Sequence, residues 1–147
     1  MRLKTFGGLS FDRQDAAADA ALRPRSLALL AILAAAGAKG LTRDRVMAVL
    51  WPETDEDRAR HALSQTLYSL RRDLDEDVVL TTPTLRLDSD RITADVIDFR
   101  AAVAAKEWAT ASALYAGPFL DGFVLADAPE FERWAESERG ALATLGI

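Results

Sequence analysis

Apolar residues along the chain follow two spacings, and the first of them is typical of strands. The stretch "RLKTFGGLSF" has apolar positions on both sides of Gly7-Gly8, which predicts two short strands joined by a tight glycine turn. After a polar, alanine-rich connection, "RPRSLALLAILAAAG" is apolar on almost every face. This segment predicts a buried central helix with Pro24 in its first turn and Gly37 at its end.

A second, shorter helix follows in the segment "LTRDRVMAVLWP". Thr42 has the side chain and the position of an N-cap residue. Val46, Val49 and Leu50 form an apolar stripe that we expect to be buried, and Pro52 marks the end of the helix.

The third and longest helix is predicted to cover about residues 55–76, within "DEDRARHALSQTLYSLRRDLDED". Thr54 is its expected N-cap, and the acids of the first turn favour the helix dipole. At about 100° per residue, four leucines fall within one narrow arc. We expect that arc to face the core: Leu63, Leu67, Leu70 and Leu74.

The opposite side of the third helix is polar, and acids occur only at the two helix ends. Glutamine can bond bidentately to adenine and arginine to guanine, while serine, threonine, histidine and tyrosine reach base edges or phosphates. A solvated helix face has the same residue types, so the helix alone leaves both interpretations open. The polar side and its flanks hold Arg58, His61, Gln65, Thr66, Tyr68, Ser69, Arg71 and Arg72.

In residues 78–94 the apolar residues again recur at about every second position, and Pro83 and the turn signal at residues 88–90 interrupt this pattern. The pattern predicts a β-hairpin. A hairpin after three helices is the outline of a winged helix. We therefore predict an α+β N-terminal winged helix over residues 1–93, with a small N-terminal sheet, three helices and a C-terminal β-hairpin wing. An all-α segment over residues 94–147 is expected to follow.

Within the all-α segment, "DVIDFRAAVAA" and "EWATASALY" predict a short antiparallel helix pair of the tetratricopeptide kind. A series of aromatic residues is expected to fill the core of this part. The alternative is an exposed surface for a neighbouring protomer or for a continuing repeat. The series comprises Trp108, Tyr115, Phe119, Phe123, Phe131 and Trp134.

The net charge of -5 is distributed unevenly along the 147 residues. Residues 1–93 contain 14 basic and 14 acidic residues, whereas residues 94–147 contain 4 and 9. All the net negative charge thus lies in the C-terminal third. The first 93 residues are neutral in sum, so they can still present a basic face to a polyanion.

The composition excludes several classes of protein. The chain has no cysteine, which excludes disulfides, thiol nucleophiles and cysteine-ligated zinc and favours a cytoplasmic location. The longest apolar run, residues 26–38, is shorter than the roughly 20 residues that cross a bilayer, and the N-terminus lacks the layout of a signal peptide. No membrane role is expected.

Candidate catalytic and metal-binding chemistry is sparse, so we expect no enzyme and no cofactor. His61 is the only histidine, and no nucleophile and carboxylate accompany it in the pattern of a triad. No glycine-rich phosphate loop occurs. Asp55, Glu56, Asp57 and His61 could be imagined as metal ligands, but a carboxylate-rich helix start is interpreted here as a cap.

Two motifs resemble a known family of bacterial regulators. "LTRDRVMAVLWP", followed by a helix ending in "LYSLRRDL", is similar to the second and third helices of the OmpR-type winged helix of the antibiotic-regulatory-protein class. "LYAGPFLDGFVLADAPEFERWAESERGAL" resembles the start of the bacterial transcriptional activator domain that follows it. The resemblance covers nearly the whole chain and implies transcription regulation, with activation the expected output.

The resemblance also implies roles for individual residues. The third helix would enter the major groove of double-stranded DNA, with His61, Gln65, Thr66, Ser69 and Arg72 at or near the bases. Tyr68 and Arg71 would contact the backbone. The wing segment "TTPTLRLDSDR" departs from the family, because it lacks the glycine-rich tip and its only basic residues are Arg86 and Arg91.

Binding partners follow from the same resemblance. It implies homodimers arranged head to tail on direct DNA repeats, and contact with RNA polymerase through the loop between the second and third helices, at Glu53, Asp55, Glu56 and Asp57. It also implies further helices after residue 147, so we expect a longer regulator and an apolar face on the last helix. A protein-interaction module that does not bind DNA is the alternative function, since the acidic residues would suit a basic protein surface.

Overall fold

The computed structural model describes residues 1–12 and 22–145, and most of the predicted alanine-rich connection lies outside them, as does Ile147. The described residues form six α-helices and two small sheets, which confirms the mixed α+β class. In chain order the elements are β1 (Arg2–Lys4), β2 (Ser10–Asp12), α1 (Pro24–Ala36), a 3-10 turn (Gly37–Lys39), α2 (Arg43–Leu50), α3 (Glu56–Leu74), β3 (Val79–Leu80), β4 (Arg86–Leu87), β5 (Thr93–Ala94), α4 (Asp95–Ala104), α5 (Trp108–Leu114) and α6 (Pro129–Ala143).

The N-terminal sheet has the strand order β2-β1-β5. β1 and β2 are antiparallel, with Leu3 opposite Phe11, so the two short strands predicted around Gly7-Gly8 are confirmed. β5 lies parallel to β1, with Leu3 opposite Ala94. The sequence did not predict that a strand from this region pairs with β1. The predicted domain boundary after residue 93 falls within β5.

Helix α1 is the central helix expected from its apolar composition. Every residue from Ala28 to Ala35 is buried. Pro24 occupies the first turn, and the chain leaves the helix at Gly37 with a φ of 71°, a backbone conformation that side-chain-bearing residues rarely adopt. Both predicted ends of this helix are therefore confirmed.

Helix α2 also has the predicted cap and the predicted buried stripe. The Arg45 amide donates to Thr42 Oγ1 at 3.2 Å, and Val46, Val49 and Leu50 are buried. α1, α2 and α3 pack against one another. This arrangement fixes which side of α3 faces outward.

The hairpin of β3 and β4 is attached to the segment between α1 and α2. Val79 pairs with Leu87 within the hairpin. The Leu41 amide donates to the Leu85 carbonyl at 2.9 Å, and the Leu85 amide donates back at 2.8 Å. These bonds position the hairpin beside the three helices.

The C-terminal helices share one continuous core with the N-terminal part. α4 and α5 pack against each other, and the Phe6 ring lies 5.1 Å from the Phe99 ring, centroid to centroid. Most of the aromatic series is buried or packed against the core as predicted. Trp108 is the exception, because it begins α5 and its side chain is 49% exposed.

A buried carboxylate connects the start of α4 to the residues that directly follow β1. Asp95, which is 7% exposed, accepts hydrogen bonds from the amides of Thr5 and Phe6 at 2.9 and 3.0 Å. The Thr5 hydroxyl donates to it at 2.6 Å. A short polar side chain thus satisfies three buried donors that no strand neighbour reaches.

Candidate nucleic-acid interface

The register of α3 decides which side chains face solvent. Leu63, Leu70 and Leu74 are each 2% exposed, and Leu67 is half-buried and packed against the core. The predicted leucine arc therefore faces inward, and the polar arc faces away from the protein.

The N-terminus of α3 differs from the prediction by one residue. Asp55, and not Thr54, is the N-cap, and its Oδ1 accepts from the Arg58 amide at 2.9 Å. Glu56 and Asp57 occupy the first turn. The carboxylates at the helix start thus have a structural role at the positive end of the helix dipole.

We call the outer face of α3 those of its predicted DNA-contacting residues whose side chains are exposed. Tyr68 is the most notable of them, since 61% of its surface is accessible to solvent. The sequence contains no acid between positions 58 and 72. The outer face consists of Arg58, His61, Gln65, Tyr68, Arg71 and Arg72.

Two residues predicted for this surface are placed differently. Ser69 is 6% exposed, so the expectation that it lies on the solvent-facing side of α3 is wrong. Thr66 is half-buried, and its hydroxyl donates to the Ala62 carbonyl at 2.9 Å. The physical reason is that α3 packs against both α1 and α2, so its covered side is wider than the leucine arc and includes this flank.

Every arginine of α3 has an acidic neighbour, which sequence reasoning missed. Spacings of three and four residues would have indicated the pairs near the N-terminus. The acids that pair with Arg58, Arg60 and Arg71 are exposed, and exposed ion pairs contribute about 0–1 kcal/mol each, so a phosphate can replace those carboxylates. The pairs are Arg58 with Asp55 at 3.5 Å, Arg60 with Glu56 at 2.7 Å and with Asp57 at 3.2 Å, Arg71 with Asp77 at 3.5 Å, and Arg72 with Asp73 at 3.2 Å.

The C-terminal end of α3 borders a groove of about 430 Å³. Tyr68, Arg71 and Arg72 line one side of it, and Arg91, from the turn before β5, lines another. Three acids after the end of α3 line it as well: Asp75, Glu76 and Asp77. The Arg72 guanidinium lies over the Tyr68 ring at 6.0 Å from its centroid, a geometry that holds an exposed arginine in place. Arginines and a tyrosine from two separate segments converge here with acids that pair with two of the arginines.

The two basic residues of the hairpin region have different surroundings. Arg91 is exposed and lies 3.3 Å from Asp88 and 3.8 Å from Glu76. Arg86 is half-buried, and its Nε is buried without a hydrogen-bond partner in the described part of the chain. Of the two, Arg91 is therefore the residue that can reach an external anion.

The acidic cluster predicted as a protein contact is exposed and lies directly before and at the start of α3. It comprises Glu53, Asp55, Glu56 and Asp57. Among residues 1–12 and 22–145, no group of three or more histidines or acids is arranged to hold a metal ion. Over the same residues, no helix is long and apolar enough to span a membrane.

No protein-family model and no curated protein sequence matches the chain. Among solved structures, the chain is similar to Mycobacterium tuberculosis EmbR in complex with a low affinity phosphopeptide, with a TM-score of 0.65 and 21% sequence identity. The two chains share a fold. The similarity covers 98% of this chain and 43% of EmbR, so the chain spans less than half the length of that protein.

Proposed function

We propose that this chain binds double-stranded DNA as part of a transcription regulator, in which α1 to α3 and the β3–β4 hairpin form a winged helix. The observation that carries the proposal is the outer face of α3, which is exposed, rich in hydrogen-bonding groups and free of acids over positions 58–72. The similarity of nearly the whole chain to EmbR supports it at the level of the fold. The motifs that resemble the antibiotic-regulatory-protein class support it at the level of sequence.

In this proposal α3 is the recognition helix and lies in the major groove. Gln65 and His61 at its centre would reach base edges, with Gln65 suited to bidentate contact with adenine. Arg58 and Arg72 would lie near bases or phosphates. Tyr68 and Arg71, which border the groove at the end of α3, would contact the backbone.

The chain's broader roles belong to the same proposal. It is a cytoplasmic, non-enzymatic regulator with a DNA-binding part over residues 1–93 and a tetratricopeptide-like helical part from residue 94 onward. The exposed residues Glu53, Asp55, Glu56 and Asp57 would be available to RNA polymerase beside the DNA, and the expected output is activation.

A gel shift with short genomic fragments tests the proposal. Binding at low salt that weakens steeply at moderate salt is expected, because phosphate contacts release counterions. Absence of a shifted complex at both salt concentrations would favour the second candidate, a protein-interaction module, for which the exposed acidic cluster before α3 is the supporting observation.

Two substitutions on the outer face should affect binding in different ways. Gln65→Ala is expected to reduce discrimination between duplex sequences by about 1–3 kcal/mol, which is the range for a bidentate base contact. Arg71→Ala should weaken binding to all sequences alike and flatten the salt dependence. Fluorescence anisotropy with a selected and a scrambled duplex measures both effects. If neither variant differs from the unaltered chain, α3 is not the recognition element.

The acids at the start of α3 should oppose DNA binding. Glu56 and Asp57 form ion pairs with Arg60 at 2.7 and 3.2 Å, so they compete with phosphates for that arginine. The double variant Glu56→Gln/Asp57→Asn is expected to bind a duplex about tenfold more tightly at low salt, since like-charge repulsion is removed. The matched control is Glu130→Gln/Glu136→Gln on α6, which removes the same charge elsewhere. An equal gain in both variants would mean that net charge alone is responsible.

Specific binding should require two protomers on a direct repeat. One outer face offers few cations, and residues 94–147 contribute five net negative charges that repel phosphates within a Debye length of about 8 Å. Two recognition helices on adjacent half-sites make the second binding event effectively intramolecular. We expect a tandem site to bind at least tenfold more tightly than one half-site in a duplex of equal length. Equal affinities with a Hill slope of one would contradict paired binding.

A further inference from the structure

A second cavity, of about 400 Å³, lies on a part of the protein that the DNA proposal does not use. It is formed where the C-terminal end of α1 and helix α2 meet α4 and α6, and none of its lining residues belongs to α3. Its volume is within the range of roughly 300–1,000 Å³ that is usual for small-molecule sites. The cavity therefore has room for a small ligand between the N-terminal and C-terminal parts.

The floor of the cavity is apolar. Ile32 and Val49 are buried and line it together with Leu41 and Trp134. Trp134 packs its indole against Phe131 at 5.6 Å between ring centroids, which holds the ring in place. An aliphatic and aromatic floor of this kind fits a flat apolar body.

The rim of the cavity is cationic, although the chain as a whole has a net charge of -5. Lys39, Arg45 and Arg100 line the cavity beside a single acid, Glu138. Arg100 Nη2 lies 3.5 Å from Glu138 Oε2. Among the described residues, the side chains of Lys39 and Arg45 form no ion pair, so two cations remain for an anion.

Arg100 meets the cavity through the outer part of its guanidinium. Its side chain is 40% exposed, and Nη2 pairs with Glu138, whereas Nε is buried and has no hydrogen-bond partner within the described part of the chain. An anion in the cavity would therefore contact the terminal nitrogens of Arg100 and not its Nε.

We propose that this cavity binds a small organic anion with a flat apolar body, of the aromatic carboxylate class. The apolar body would lie against Val49 and Trp134, and the carboxylate would accept from Arg100 and Arg45. The ligand would contact α2 on one side and α4 and α6 on the other. This inference does not depend on DNA binding, because no residue of α3 lines the cavity and ligand binding can be measured without DNA.

The test is a calorimetric titration of the full chain with 1-naphthoate and, separately, with its uncharged analogue 1-naphthamide. The naphthoate is expected to bind at a single site and about tenfold more tightly than the amide, because only the carboxylate forms charge-assisted hydrogen bonds. The thermal unfolding midpoint should rise with naphthoate concentration. Equal affinity for the two probes, or binding that does not saturate, would overturn the proposal.

Variants locate the site. Arg45→Gln alters an exposed side chain, so folding should be retained, and it is expected to weaken naphthoate binding several-fold while leaving the amide unaffected. Arg100→Gln should weaken naphthoate further, and Ala36→Phe should exclude both probes by filling the cavity. The matched control is Arg133→Gln, on α6 but outside the cavity. Unchanged naphthoate affinity in Arg45→Gln and Arg100→Gln would also refute the assignment.

Discussion

Asp95→Ala is expected to lower the free energy of unfolding by about 4 kcal/mol, because it leaves several buried donors without a partner. The carboxylate now accepts from both backbone amides at Thr5 and Phe6 and from the Thr5 hydroxyl. Thr5 is fully buried, so water cannot easily replace these bonds. Chemical denaturation monitored by circular dichroism gives the measurement.

The control for this substitution is Asp98→Ala in the same helical turn. Asp98 also lies in the first turn of α4 and pairs with Arg2 at 2.8 Å, but 48% of its side chain is exposed. Its loss should therefore reduce stability by at most about 1 kcal/mol. If both variants lose the same amount, the buried hydrogen bonds of Asp95 do not hold the N-terminal sheet to the C-terminal helices.

Gly40→Ala should be the second strongly destabilising substitution. A Cβ at Gly40 would lie 2.3 Å from the Leu85 carbonyl oxygen, so the hairpin of β3 and β4 would have to move. That displacement would disturb the pair of hydrogen bonds between Leu41 and Leu85. We expect the free energy of unfolding to fall by about 2 kcal/mol more than in the matched variant Gly37→Ala, within the range for overpacking.

Gly37 is a suitable comparison because its backbone is almost the same. Its φ and ψ are 71° and -151°, and those of Gly40 are 67° and -165°. This region is occupied almost entirely by glycine and strains other residues by about 1–3 kcal/mol. A Cβ at Gly37 meets nothing within 4 Å. The difference in unfolding free energy between the two variants thus reports the steric contact alone. An equal decrease in both variants would mean that the hairpin moves away from the new Cβ without loss of stability.

Helices α1 and α2 could be predicted from the sequence because their ends carry local signals. Pro24 fits only a first turn, Gly37 supplies a positive φ, and the Thr42 hydroxyl accepts the Arg45 amide. At the start of α3 two capping residues are adjacent. The sequence could not choose between Thr54 and Asp55, because either can accept from the first helical turn.

Features that depend on distant segments could not be predicted. The period of two over residues 78–94 indicated extended backbone but not its partner, because β5 pairs with β1 across about ninety residues of chain. Asp95 appeared only as one residue of a helical segment, since its three donors lie on Thr5 and Phe6, directly after β1. Long-range partners of this kind are fixed by tertiary packing and not by local pattern.

The outer face of α3 was predicted in part. The leucine arc gave the correct orientation, and six of the eight proposed residues are exposed. Ser69 and Thr66 were misplaced because a helical projection contains no information about how widely neighbouring helices cover a flank. The ion pairs of Arg58 and Arg60 join residues three or four positions apart, a spacing that indicates such pairs on a helix. The pair between Arg71 and Asp77 instead depends on the path of the chain after the helix.

Contact between α3 and DNA is tested most directly by nuclear magnetic resonance, with the isotope-labelled chain titrated with a short random-sequence duplex at low salt. Phosphate contacts alone are sufficient for binding under these conditions. We expect the amide shifts to be largest over residues 58–72 and at Arg91, and to diminish as salt is added. Shifts confined to residues outside α3, with positions 58–72 unchanged, would contradict the assignment of α3 as the DNA-binding helix.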